Sequence, residues 1–141
     1  MKIYWNMASE SKKSISENQF FRTGDVGIKL VDGCIKIVDR LKDMIIVSGF
    51  NVYPNEIEEV LTNHPNVIEA AVIGETDDKT GERVCAYITV KGAESDVNIM
   101  SYCREHLTAY KVPKRVVFVK ELPKSTVGKI LRRELRAQVD N

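Results

Sequence analysis

Hydrophobic and polar residues alternate along two early stretches of the chain, VGIKLV from Val26 and CIKIVD from Cys34, with Asp32-Gly33 between them. A period of two marks strands whose faces differ, and an Asp-Gly pair accepts positive φ at both positions of a tight turn. The spacing predicts a β-hairpin. DMIIVSGF is a shorter apolar run ending near a glycine and reads as another strand and turn. The period then changes. In PNEIEEVLTNH, Ile57, Val60 and Leu61 recur at helical spacing, and Pro54 suits a first helical turn. Glu56, Glu58 and Glu59 complement the positive end of the helix dipole. Pro65 is expected to end that helix.

VIEAAVIGE and ERVCAYITV are β-rich runs on either side of the polar TDDKTG, and predict an antiparallel pair joined by a flexible link. DVNIMSYCREHL predicts an amphipathic helix with Ile99, Cys103 and His106/Leu107 on one side. A short strand is expected over 116–119. VGKILRRELRAQV predicts a helix with Leu131, Leu135 and Val139 on one face and Arg132, Arg133 and Arg136 mostly on others. The first twenty residues hold a polar stretch, MASESKKSISENQ, that reads as helix or loop with no apolar stripe and as the edge of something larger, not expected to fold alone. The sum is a small α+β domain: a β-hairpin plus a short mixed or antiparallel sheet flanked by helices.

Composition narrows the function. A length of 141 residues suits one ordinary domain with a short appendage. A formal net charge of +1 supplies no global field for nucleic acid or a membrane surface, so any electrostatic role must come from local clusters. Cys34, Cys85 and Cys103 are widely spaced, and neither His64 nor His106 completes a metal-ligand pattern with them. Three buried, reduced thiols in a cytosolic protein are expected. No apolar run approaches the ~20 residues that span a bilayer.

Four stretches hold polar residues that folding alone does not demand. In FRTGD, Asp25 follows a Thr-Gly turn; a carboxylate so held suits a vicinal diol, or simply caps the turn. In DRLKDMIIVSGFNVYPNEIE, Asp39, Arg40, Lys42 and Asp43 crowd between two β-like segments, as in a hinge or a salt-bridged surface loop. Gly49 allows close backbone approach to a ligand, or a turn with positive φ. LTAYKVPK supplies Lys111 and Lys114 next to Arg115, which suit a phosphate-rich ligand or a solvated surface. In LPKSTVGKILRREL, Lys124 and Lys129 flank a polar turn that leads into the last helix. This is not a Walker A loop, since Pro123 and Ile130 stand where that motif needs glycine and Ser or Thr. A lysine on a mobile turn still neutralises developing phosphate charge.

Taken in order, YWN at 4–6, FRTGD, DRLKDMIIVSGFNVYPNEIEEVL, LTAYKVPK and ELPKSTVGKILRREL closely resemble the late motifs of the adenylate-forming (AMP-dependent) acyl-CoA synthetase superfamily. The wording of the long motif and of the terminal one is most similar to bacterial long-chain-fatty-acid–CoA ligases. The resemblance runs from about Tyr4 to the end. It implies residues 1–39 as a remnant of the large N-terminal domain and 40–141 as the mobile C-terminal domain.

The same resemblance implies roles. Asp25 would hold the ribose hydroxyls of ATP, Arg40 would contact the nucleotide, and Lys42 would be the hinge. Ser48, Gly49 and Phe50 would approach the pantetheine of CoA, and Lys129 would stabilise adenylate formation. The implied chemistry is fatty acid plus ATP to acyl-adenylate and pyrophosphate, then CoA to acyl-CoA and AMP. Mg2+ would be bound mainly through ATP and the N-terminal domain. The implied setting is cytoplasmic, with the full-length enzyme peripheral on the inner membrane. The expected partner is the N-terminal adenylation domain, whose phosphate loop and acyl pocket have no counterpart in this chain, so turnover by the chain alone is not expected. Ile3 stands where the family usually has glycine, and the proline the family usually carries near Ala8 is missing. Three other readings stand beside this one: a non-catalytic binding module of the same fold, a ligase for another carboxylic acid, and a nucleic-acid binder using the Arg-rich last helix. The charge balance argues against the last.

Overall fold

The computed structural model describes residues 4–93 and 95–139. The chain divides into two compact units, Met1–Lys42 and Asp43–Asn141.

In the first unit, helix α1 (Ala8–Ser14) is held by one buried polar side chain. The Ser11 hydroxyl accepts from the Tyr4 amide and donates to the Met7 carbonyl, both at 2.9 Å. Ala8, one of the two family departures, opens this helix; Ile3, the other, lies outside the described residues. Strands β1 (Asp25–Lys29) and β2 (Ile35–Arg40) form the expected antiparallel hairpin, with a bulge between Val26 and Gly27. A Cβ on Gly27 would stand 2.8 Å from the Ile35 side chain, so the strand needs glycine there.

The turn differs from the expected one. Only Gly33 takes positive φ (88°); Asp32 instead accepts the Cys34 amide on its carboxylate at 2.9 Å. Gly33 donates to the Leu30 carbonyl, so the loop is a three-residue turn closed by a left-handed glycine. Side-chain capping by aspartate has replaced backbone strain. The hairpin's alternation also buries little within this unit: Ile35 and Ile37 are 70% and 60% exposed. Cys34 is exposed too, contrary to the expectation of three buried thiols.

The second unit holds a five-stranded sheet. Strands β3 (Ile45–Val47) and β4 (Phe50–Val52) form a tight hairpin across Ser48 (φ 50°) and Gly49 (φ 83°). The two-residue positive-φ turn expected at Asp32-Gly33 is therefore found here. Helix α2 (Pro54–Thr62) starts on its proline as predicted and buries Ile57 and Leu61 completely. It stops before Pro65, whose ring disfavours helical backbone at His64. Strands β5 (Val67–Asp77) and β6 (Gly81–Val90) pair antiparallel along their length. Their link is pinned, not flexible: one Asp77 carboxylate oxygen accepts from Lys79 N, Thr80 N and Thr80 Oγ1 at 2.8–3.0 Å.

Helix α3 (Asp96–His106) is capped by Ser95, which accepts from the Asn98 amide. Ile99 and Cys103 are buried as expected and Leu107 is partly buried, but His106 turns outward and stacks on Tyr102 with ring centroids 4.2 Å apart. Strand β7 (Arg115–Phe118) lies parallel to β6, one residue earlier than predicted, and β6 is thus flanked by β5 on one side and by β3 and β7 on the other. Helix α4 (Arg132–Val139) is shorter than the predicted one. Residues 127–131 are not helical, because Lys124 and Ile130 pair as an isolated bridge and Leu131 N donates to the Pro123 carbonyl. Leu135 is buried on the core face; the side chain of Val139 lies outside the described residues.

Both faces of β5–β6 are covered. Ala70, Val72, Val84, Ala86 and Ile88 face α2 and α3, while Ala71, Ile73, Cys85 and Tyr87 pack with Leu122 and Leu135. Successive side chains of a strand point to opposite faces, so a strand covered on both sides reads as a continuous apolar run, as VCAYI does. Each fully buried Ile or Leu contributes about 1.5–3 kcal/mol.

Candidate functional site

In the first unit the ladder brings Asp25 and Arg40 together. They are paired residues of β1 and β2, and Arg40 Nε lies 3.0 Å from Asp25 Oδ1. Thr23 Oγ1 accepts the Asp25 amide at 3.1 Å, and Leu41 N donates to the Gly24 carbonyl. An ionised carboxylate has about four acceptor positions, so the pair leaves room for a further donor such as a hydroxyl. Asp39, next to Arg40, is buried and accepts the Arg40 amide at 2.7 Å. Lys42 is exposed.

In the second unit the predicted residues fall at two ends of the sheet. At one end, Ser48 N donates to the Thr80 carbonyl and Val47 pairs with Gly81, which seats the Ser48-Gly49 turn beside the start of β6. Phe50 is 56% exposed and stacks on Tyr110, with centroids 4.9 Å apart and rings inclined by 23°. A Cβ on Gly49 would meet no atom within 4 Å, so this unit itself leaves the space there open and the glycine serves the backbone conformation. Tyr110 lies in LTAYKVPK, where sequence reasoning weighed only the basic residues. Those are differently placed: Lys111 pairs with both oxygens of Glu56 at 2.7 and 2.8 Å, and Arg115 with Glu75 at 3.0 Å. Lys114 is exposed.

At the other end, Lys124 Nζ meets Glu69 Oε1 at 2.6 Å near the start of β5. Ser125 N donates to the Lys129 carbonyl, Ser125 Oγ accepts the Lys129 amide, and Gly128 takes φ 79°. The backbone of Lys129 is therefore pinned while its side chain is exposed. Among the described residues the ammonium has no hydrogen-bond or ion-pair partner, and it is available to an anionic oxygen. Glu69 and Asp77 mark the two ends along β5, and the stretch between them spans roughly 26 Å at about 3.3 Å per residue. Strand β7, running parallel to β6, carries the chain from one end to the other.

The body between the ends is kept neutral or paired. Glu75 is buried, with Arg83 on one oxygen and Arg115 on the other, each at 3.0 Å. Burial pushes the Cys85 thiol up to about 12, and the neighbouring Glu75 carboxylate adds to the rise. Burial likewise pushes Cys103 up to about 11 and raises Tyr87. Such groups do not ionise near neutral pH and belong to the framework. Among the described residues, no group of three His, Cys, Asp or Glu side chains is placed to hold a metal ion, and no helix is long and apolar enough to cross a membrane.

The chain resembles known proteins over nearly its whole length. Residues 56–129 match the family described as AMP-binding enzyme C-terminal domain. The chain is 49% identical to the long-chain-fatty-acid–CoA ligase of Salmonella typhimurium, over 98% of this chain and 25% of that protein. It is 42% identical to the 2-succinylbenzoate–CoA ligase of Bacillus cereus, over 97% of this chain and 28% of the relative. Among solved structures, ATP-bound MatB from Rhodopseudomonas palustris superposes with a TM-score of 0.92 at 37% identity, covering 99% of this chain and 28% of that one. The chain spans about a quarter of the length of the curated relatives it matches. This chain belongs to the AMP-binding enzyme C-terminal domain family, and the two curated relatives above are CoA ligases.

Proposed function

We propose that this chain is the C-terminal part of a long-chain-fatty-acid–CoA ligase and works with an N-terminal adenylation domain. Residues 40–141 form the moving part, Lys42 is its hinge, and residues 1–39 belong to the edge of the body. In the first half-reaction a fatty-acid carboxylate oxygen attacks the α-phosphorus of ATP, forming acyl-adenylate and releasing pyrophosphate. Both partners are anionic, and the Lys129 ammonium offsets their repulsion as the bond forms. Asp25 accepts from the ribose hydroxyls and Arg40 contacts the nucleotide. In the second half-reaction the CoA sulfur attacks the acyl carbon and AMP leaves; Ser48, Gly49 and Phe50 line the approach of the pantetheine arm. Mg2+ would be bound mainly through ATP and the N-terminal domain. We place the ligase in the cytoplasm, peripheral to the inner membrane.

The observation that carries this reading is the separation of the two ends. An exposed ammonium, unpartnered among the described residues, on a pinned turn and an open positive-φ turn beside an aromatic pair lie at opposite ends of one sheet. One rigid body can present them to the same site only in turn, which suits two successive half-reactions. In the full-length ligase, Lys129→Ala should lose ATP–pyrophosphate exchange but still convert supplied acyl-adenylate and CoA to thioester. Equal loss of both would contradict the assignment. The 42% identity to a 2-succinylbenzoate–CoA ligase supports an aromatic or shorter acid as a second reading. A panel of C4 to C18 and aryl acids in the exchange assay decides between them by which acid gives the highest kcat/KM.

A further inference from the structure

The densest charge network outside the two ends joins Asp43 to helix α4. Asp43 is the first residue of the second unit, and its side chain is 10% exposed. Arg136 Nη2 lies 3.0 Å from one of its oxygens, and Arg132 Nη1 lies 3.7 Å from the other. Arg132 also takes Glu58 in a two-point grip, Nε to Oε1 at 3.0 Å and Nη2 to Oε2 at 2.7 Å, and donates to Asn55 Oδ1 at 2.7 Å. Glu58 Oε1 in turn accepts the amide of Val72 on β5 at 2.8 Å. Asp43, α2, β5 and α4 therefore meet around one guanidinium. A planar, always-charged group with forked donors suits such a node.

The position of the node in the chain matters more than its strength. Asp43 directly follows Lys42, and Arg132 follows Lys129 by three residues. The intervening Ile130 and Leu131 are tied back to Lys124 and Pro123. A joint confined to one residue requires that the next residue already belong to the rigid body. A charge delivered to a reacting phosphate requires a fixed distance from that joint.

We propose that Arg132 and Arg136 are positioning residues that clamp Asp43 to α4, so that the joint ends sharply at Lys42 and Lys129 is held at a fixed reach from it. This rests on the roles proposed above for Lys42 and Lys129. The clamp acts on the adenylation half-reaction, because α4 continues directly from the Lys129 turn. The Ser48-Gly49 end is seated by its own strand pairing to Gly81 and does not depend on α4.

The test compares Arg136→Gln, Arg136→Lys and Lys129→Ala in the full-length ligase, following both half-reactions, thermal unfolding and amide hydrogen exchange. Arg136→Gln should lower kcat for ATP–pyrophosphate exchange by about 10- to 100-fold, the range for a small misplacement of a catalytic group. The KM for ATP and thioester formation from supplied acyl-adenylate should stay within about threefold, far inside that misplacement range. Exchange should quicken in peptides covering residues 41–46 and not in β6. Arg136→Lys, which keeps the charge, should recover most of the loss. Parental exchange activity in Arg136→Gln beside a crippled Lys129→Ala would overturn the clamp alone. A fall of both half-reactions in step with the melting temperature, without rescue by Arg136→Lys, would reduce the network to a structural staple and also overturn it. Parental activity in Lys129→Ala would overturn the underlying reading and the clamp with it.

Discussion

The two ends of the second unit's sheet are built on different principles. At the Gly49 end the distinguishing feature is backbone geometry: two consecutive residues at positive φ make a turn that only small or turn-adapted residues tolerate, beside a stacked Phe50–Tyr110 pair. At the Lys129 end, the backbone serves to present one side chain, and the turn is held by an isolated bridge and a serine hydroxyl. One end offers a surface with room above it; the other offers a charge. The difference teaches that a single small domain can carry two unlike tools if a stiff, doubly covered strand pair keeps them apart.

The sharpest way to break this contrast is Lys129→Ala. On the role proposed for Lys129, losing its charge should cut adenylate formation by about 10²–10³-fold, with thioester formation from supplied acyl-adenylate nearly unchanged. Half-reaction assays on one preparation measure both. Next in size is Gly49→Leu, the mirror experiment. Thioester formation should fall by about 10- to 100-fold as the side chain enters the open space, while pyrophosphate exchange persists. The left-handed backbone adds about 1–2 kcal/mol of strain, visible as a lower melting temperature. Equal damage to both half-reactions would mean that the ends are not independent.

The bar between the ends can be probed by pH. Cys85 and Cys103 hold their protons in the fold to about 12 and about 11, above the ordinary value of 9.0. Their contribution is intact below pH 9 and is lost as pH rises from there toward the folded values, because the unfolded chain releases those protons first. Each thiol should cost about 1.4 kcal/mol per pH unit in that window, and Cys85→Ala should flatten the decline in thermal melts. Below pH 9, only Cys34 should react quickly with iodoacetamide. The smallest effect belongs to Phe50→Ala: losing the Tyr110 stack should lower stability by about 0.5–1.5 kcal/mol, read by denaturant melts.

Much of this was legible from neighbouring residues. Pro54 with a glutamate-rich first turn marked the start of α2, and the β-rich runs VIEAAVIGE and ERVCAYITV marked the antiparallel pair of β5 and β6. Where local reading failed, another local group had intervened. The Asp32 carboxylate capped its own turn, which left positive φ to Gly33 alone, while two consecutive positive-φ residues are found at Ser48-Gly49. Helix α4 began late because Ile130 found a strand-like partner in Lys124. His106 left the core face because stacking on Tyr102 and a bond from its ring to the Tyr102 carbonyl held it outside.

Periodicity, caps, turn chemistry and motif wording are properties of adjacent residues, and they were enough to name the α+β class, its helices and the candidate residues. Which candidates meet was a different matter. Asp25 reached Arg40 through strand register, and Phe50 reached Tyr110 and Asp43 reached Arg136 across 60 and 93 positions of chain. The distance between Gly49 and Lys129 depended on β7 running parallel to β6. Such placements follow from how apolar faces close over one another, a cooperative outcome of burial that no short stretch of sequence encodes.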